Sequence, residues 1–215
     1  MTIKFDPDEN TCAGKPIKSA MHIFSSDLLK GCKRFVELIE LNNNDQDIVI
    51  FNTSCVLNAV CFLEARINEQ ISIAVMCFDE DEREGKSWRV IQRLQKKLTL
   101  QEKWDLIAVN TNGLLWDKGV EPFQSLDIII SLRNELVHYK GELFSENKAP
   151  NNKILQLMKK FGVTSNTTWI EDDFSIWIND LLCSKSLSKW IFNKVNNFNN
   201  SYQNRLYEKD REDQD

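Results

Sequence analysis

Apolar residues recur every three or four positions along most of this chain, which predicts helices almost throughout. Leu28, Leu29, Cys32, Phe35, Val36 and Ile39 mark a first helix from about Ser25 to Leu41, ended by the polar stretch Asn42 to Asp47. A second, much longer pattern runs from about Asn52 to Phe78 through Val56, Val60, Leu63, Ile67, Ile71 and Ala74. At 1.5 Å per residue that helix would span about 40 Å, with one buried stripe. The acidic run Asp79 to Gly85 predicts a solvated break. Beyond it, Trp88, Ile91, Leu94 and Leu98 predict a shorter helix, and Trp104, Ile107 and Ala108 another. Pro122 fits the first turn of the next helix, where its missing N–H costs nothing. That helix carries Leu126, Ile129, Ile130, Leu136 and Val137, and Gly141 is placed to stop it. A polar linker at 145 to 152 precedes a short helix at Ile154, Leu155 and Met158. One or two more helices follow through Trp177, Leu181, Leu182, Leu187, Trp190, Ile191 and Val195. The first dozen residues read as irregular, and a charged tail from Asn204 to the end is expected to be disordered. The expectation is a single all-α domain over 1–203, a bundle of about six to eight helices with one long central helix.

Composition narrows the function classes. With 215 residues the chain can bury a core large enough to fold without cofactor or disulfide. Only 7 Gly and 4 Pro leave little material for tight turns, in keeping with helices. A net charge of -5 excludes a protein coated in positive potential, yet leaves room for a local basic groove. Cys12, Cys32, Cys55, Cys61, Cys77 and Cys183 form no C-x-x-C pair and have no histidine at ligand spacing, so they read as reduced core thiols rather than metal ligands. No leader is apparent, and no segment is expected to supply the roughly 20 apolar residues of a membrane span. A cytoplasmic protein without membrane contact, metal or cofactor is expected.

The chemistry concentrates on the helix after Pro122. At 100° per residue, Asp127, Ser131, Asn134 and His138 share its polar side. Asn134 and His138 are neighbours on that surface, so the amide is expected to orient the imidazole. Arg133 falls instead in the apolar arc of Leu126, Ile129, Ile130 and Val137, where a cation requires a counter-charge. In a structural reading, Glu64 or Glu69 of the long helix supplies it and His138 is a helix-terminal histidine favoured by the dipole. In a functional reading, Arg133 faces a phosphate and His138 moves protons, a combination suited to metal-free RNA cleavage by the 2'-hydroxyl. Glu64, Glu69 and Ser131 would then be supporting groups. Because Arg133 and His138 diverge around one helix, a compact site is easier to build where two such helices meet across a two-fold axis.

Other signals favour packing or solvation. His22 has no recognisable partner. Lys86, Arg89, Arg93, Lys96 and Lys97 could track a nucleic-acid backbone but read as a solvated helix face. The six tryptophans could stack on bases, but most occur with apolar neighbours at helical spacing and read as core. No Gly-rich phosphate loop, zinc motif or nucleophile elbow is present.

The segment Arg133-Asn134-Glu135-Leu136-Val137-His138 resembles the Arg-polar-x-x-x-His motif of the HEPN superfamily. Phe62 to Glu69 and Leu187 to Trp190 also resemble segments of bacterial proteins of that group, so the likeness covers roughly residues 48 to 198. It implies an all-α bundle, a homodimer joined through the motif helices, and a metal-independent endoribonuclease of toxin–antitoxin, abortive-infection or other defence systems. Carried over by position, Arg133 and His138 would be catalytic and Asn134 would orient or bind. Members paired with a minimal nucleotidyltransferase antitoxin often carry a tyrosine two residues after the histidine. Here Tyr139 follows His138 directly and Lys140 takes the second place, so the likeness does not extend to that partnership. An antitoxin or regulatory protein of another kind remains an expected partner beside the RNA substrate. The competing expectation, from a different class, is a non-catalytic helical module for dimerisation or protein binding.

Overall fold

Six helices among the described residues meet on one central rod, which is the longest of the apolar patterns. The computed structural model describes residues 2–5, 19–139, 150–163 and 176–212, and among these it has eight helices and one pair of short strands. The rod is α2, Asp45–Cys77, whose 33 residues extend it to about 50 Å. Asn44 caps it by accepting the Gln46 N–H, and Asp45 and Asp47 sit favourably at the positive end of its dipole. It therefore starts seven residues earlier than the apolar pattern alone suggests. The helices α1 (Ser25–Glu40), α3 (Arg83–Leu94), α4 (Leu100–Asn112), α5 (Phe123–Val137), α7 (Trp177–Leu182) and α8 (Leu187–Glu212) all pack against it. Helix α6 (Asn152–Phe161) lies against α5. The all-α bundle with a long central helix is thus the observed fold.

Polar residues set the joints. Helix α1 has Phe24 at its cap position and so lacks a side-chain acceptor of its own. Glu69, buried on α2, takes that role: its carboxylate accepts the Ser25 N–H at 2.8 Å and the Ser25 hydroxyl at 2.5 Å. Helix α4 opens on a reciprocal capping box between Thr99 and Glu102 and closes on Gly113, whose φ of 75° suits a residue without a Cβ. At the far end of α2, Asn52 is fully buried and ties α7 to α8. Its amide donates to the Leu182 and Ser184 carbonyls, and its oxygen accepts the Ser188 N–H and hydroxyl.

Several boundaries differ from the sequence pattern. Thr2–Phe5 pairs antiparallel with Ser19–His22, where irregular chain was expected. Helix α3 already starts at Arg83, so the acidic break shrinks, and Gly85 is buried where an added Cβ would lie 1.6 Å from the Asp79 carbonyl oxygen. Helix α8 continues to Glu212, past the expected change at Asn204. Gly141 and the 145–149 part of the expected linker lie outside the described residues, as do Cys12 and Trp169. Of the other cysteines only Cys32 and Cys55 are buried; Cys61 and Cys77 are exposed and Cys183 is half-buried, so a wholly core set is corrected. Trp88, Trp104, Trp116 and Trp177 are core residues, and Trp190 packs against the core from its edge. One helix among the described residues, α2, is long and apolar enough to cross a membrane, against the expectation of none. A core helix enclosed by neighbours needs the same composition, because it must be apolar on several faces.

Candidate functional site

Helix α5 is buried along most of its length and emerges from the core only in its last turn. Phe123, Leu126, Ile129, Ile130 and Leu132 are buried, whereas Asn134, Val137 and His138 are exposed. Its terminal position follows from backbone geometry: the His138 N–H still donates to the Asn134 carbonyl at 3.0 Å, but His138 itself leaves helical conformation. His138 therefore sits at the C-cap, two residues before the end expected from the pattern. The negative end of the helix dipole faces it there.

Arg133 is not drawn into the core. Its Nη1 donates to the Asn134 side-chain oxygen at 3.1 Å, within an exposed pair. The helical wheel placed it on the apolar arc, but by this last turn the core has ended, and a long side chain carries its charge to water while its stem stays on apolar surface. The Asn134 amide oxygen is consequently engaged by Arg133, and the expected amide-to-imidazole contact is absent among the described residues. The His138 imidazole has no side-chain hydrogen bond among them either.

The supporting groups are also placed differently. Glu64 pairs with Lys103 of α4, a lysine only 5% exposed that requires a counter-charge. Glu69 caps α1, where unpaired N–H groups and the dipole attract a carboxylate. Neither supports Arg133, so the structural pairing and the supporting role are both corrected. The Ser131 hydroxyl turns back to the Asp127 carbonyl at 2.8 Å, and the Asp127 carboxylate is held by Gln101 and Lys153. The stripe of four polar residues is thus divided, with its first half serving the fold and its second half open.

One contact that sequence spacing did not reveal anchors the open half. The Glu135 carboxylate accepts from the Asn151 amide at 3.1 Å, while the Asn151 oxygen caps α6 through Lys153 and Ile154. The motif turn is thereby tied to the start of α6. Beside it, Val137 is 55% exposed and Tyr139 is 41% exposed, an apolar flank next to the histidine.

The remaining candidates serve local structure. His22 Nε2 lies 3.6 Å from Asp27 on an exposed surface. Arg89 donates to the Gly85 and Phe78 carbonyls and faces Glu80, closing the loop before α3. Lys86, Arg93, Lys96 and Lys97 are exposed, as a solvated face would be. No group of His, Cys, Asp and Glu among the described residues has the arrangement of a metal site. Family models, curated proteins and solved structures offer no match to this chain.

Proposed function

We propose that this chain is a metal-independent endoribonuclease of HEPN type, a cytoplasmic homodimer whose active site combines the last turns of two α5 helices. The observation that carries the reading is that, among the described residues, the fold makes no use of the Arg133 guanidinium or the His138 imidazole. Among the described residues Arg133 bonds only within its own motif, and the two carboxylates expected to explain it as a structural cation, Glu64 and Glu69, are engaged elsewhere. Exposed charge and imidazole on a rigid helix are groups available to a ligand.

In the reaction, His138 takes the proton of a ribose 2'-hydroxyl, and the 2'-oxygen attacks the adjacent phosphorus. The bond to the 5'-oxygen breaks, that oxygen takes up a proton, and a 2',3'-cyclic phosphate remains. Arg133 stabilises the charge of the phosphorane, and Asn134 holds the guanidinium in place through its amide oxygen. The exposed flank of Val137 and Tyr139 suits contact with the second α5 helix or with an inhibitory partner protein. An antitoxin-like regulator would act most simply by covering this turn.

The test is incubation of purified wild-type, Arg133→Ala and His138→Ala proteins with mixed RNA in excess chelator, reading fragment lengths and end groups. Cyclic-phosphate ends from the wild type alone are expected. Equal cleavage by the His138→Ala protein would refute the mechanism.

A further inference from the structure

A second concentration of unused polar groups lies away from the α5 motif, where α8 meets α4, α2 and the loop before α5. Trp104 stacks edge-on against Phe198 and Tyr202 with ring centroids 4.7 and 4.9 Å apart, and Trp116 lies 4.9 Å from Phe198. The Arg205 guanidinium covers the Trp116 ring at 3.8 Å. An aromatic cluster of this kind normally buries only carbon, with its polar tips paired. Here the Trp104 and Trp116 indole N–H groups, the Tyr202 hydroxyl and Arg205 Nη1 are all buried without a partner. Trp104, Trp116 and Tyr202 are 1%, 4% and 2% exposed, so bulk water does not serve them.

All four groups are donors or, for the phenol, able to donate. The nearby carboxylate Asp105 is paired with Lys118 at 2.7 Å and forms no ion pair with Arg205, although its second oxygen is itself unpaired. Arg66 of α2 likewise has no hydrogen-bond or carboxylate partner among the described residues. Burial raises the Tyr202 phenol well above its ordinary range, and the charge of Arg66 acts against that rise, which places this second arginine within electrostatic reach. Asp105 and Asn199 each leave a buried oxygen unpaired, but the four donors, together with two guanidinium groups that have no carboxylate partner among the described residues, favour an acceptor-rich, negatively charged occupant.

We propose that this junction binds a small oxyanion, with Arg205 as its charged anchor and the Tyr202 hydroxyl and an indole N–H as neutral donors. The occupant carries a phosphate or carboxylate group and reaches the cluster beside Arg205, which is its half-exposed edge. The site is independent of the α5 motif and of the reaction proposed for it.

The experiment titrates the full chain with inorganic phosphate and, separately, acetate at constant ionic strength, reading tryptophan fluorescence and thermal midpoint. Arg205→Gln and Tyr202→Phe are compared after circular dichroism has verified folding. A saturable response in the wild type, weakened at least tenfold in Arg205→Gln and measurably in Tyr202→Phe, is expected. The acid that saturates at lower concentration identifies the oxyanion as phosphate-like or carboxylate-like. Tyr202→Phe also serves as a control, because removing an unpaired hydroxyl should leave the ligand-free protein at least as stable as the wild type. No saturable response to either anion, or one unchanged in both variants, would overturn the proposal.

Discussion

Asn52 offers the sharpest test of how the bundle is joined. Its side chain reaches across 130 to 136 positions of sequence to bond Leu182, Ser184 and Ser188. Truncation in Asn52→Ala would remove all four bonds. The Leu182 carbonyl and the Ser188 N–H would then stay buried and unpaired, while the Ser184 carbonyl is near enough to the surface to find water and the Ser188 hydroxyl can rotate. Each buried group left unpaired costs roughly 1–3 kcal/mol, so two of them give a loss of about 3–4 kcal/mol. That is a large share of the roughly 5–15 kcal/mol typical of a domain. Urea unfolding followed by circular dichroism measures it directly, with Ser188→Ala expected to lose only about 1 kcal/mol for its hydroxyl bond. Asn52→Asp sharpens the logic. It keeps the shape and the two contacts from Ser188, but turns an oxygen toward two carbonyls that need a donor. It should be at least as unstable as Asn52→Ala near neutral pH. A loss below about 1 kcal/mol in Asn52→Ala, or wild-type stability in Asn52→Asp, would refute the claim that this amide holds α7 to α8.

Three further outcomes follow from other joints. Glu69→Ala should destabilise by roughly 2–3 kcal/mol, because it removes a charge-assisted cap from buried Ser25, and hydrogen exchange should rise first in the opening turn of α1. Gly85→Ala should cost about 1–3 kcal/mol in the same unfolding assay, since its methyl group would collide with the Asp79 backbone rather than with a flexible side chain. Stability should also fall in acid. At Glu121 burial raises the carboxyl pKa, but the bonds from Lys194 and Ser125 outweigh it and hold the value below the ordinary 4.5. A lowered folded-state pKa gives stability that is complete above 4.5 and lost as pH falls through the lower value. Glu121→Gln should therefore flatten part of the acid decline in thermal midpoint.

The helices were legible because a stripe at 3.6-residue spacing is what a bundle core requires, and Val56, Val60, Leu63, Ile67 and Ile71 are all buried as that spacing demands. Boundaries were less legible. They depend on single polar groups such as Asn44 and Thr99, whose capping role appears only in three dimensions. The four-residue strands were too short to establish a period of two. Glu69 was matched to Arg133 instead of Ser25, and Asn52 was given no role, for another reason. On a helix surrounded by neighbours, a polar residue need not face the direction a single wheel suggests, so a carboxylate expected beside Arg133 is in fact the cap of a different helix. The placing of Arg133 failed at the same level, since a wheel gives direction around an axis but not where along the axis the core ends.

That end of the core on α5 also makes the function testable without confusion with stability. Leu132 is fully buried, yet Asn134 and His138, two and six residues later, are exposed. Leu132→Ala should accordingly cost about 2–5 kcal/mol through the cavity it leaves. Among the described residues Arg133→Ala removes one exposed hydrogen bond and His138→Ala removes none from its side chain, so each should change stability by no more than about 0.5 kcal/mol. For a chain of this size that corresponds to a thermal shift of about 1–2 °C. Loss of RNA cleavage in either variant, with midpoint and oligomeric state unchanged, would then belong to the chemistry of the turn. If Arg133→Ala instead unfolds the protein or lowers its midpoint by many degrees, Arg133 is a structural cation and the endoribonuclease reading loses the observation on which it rests.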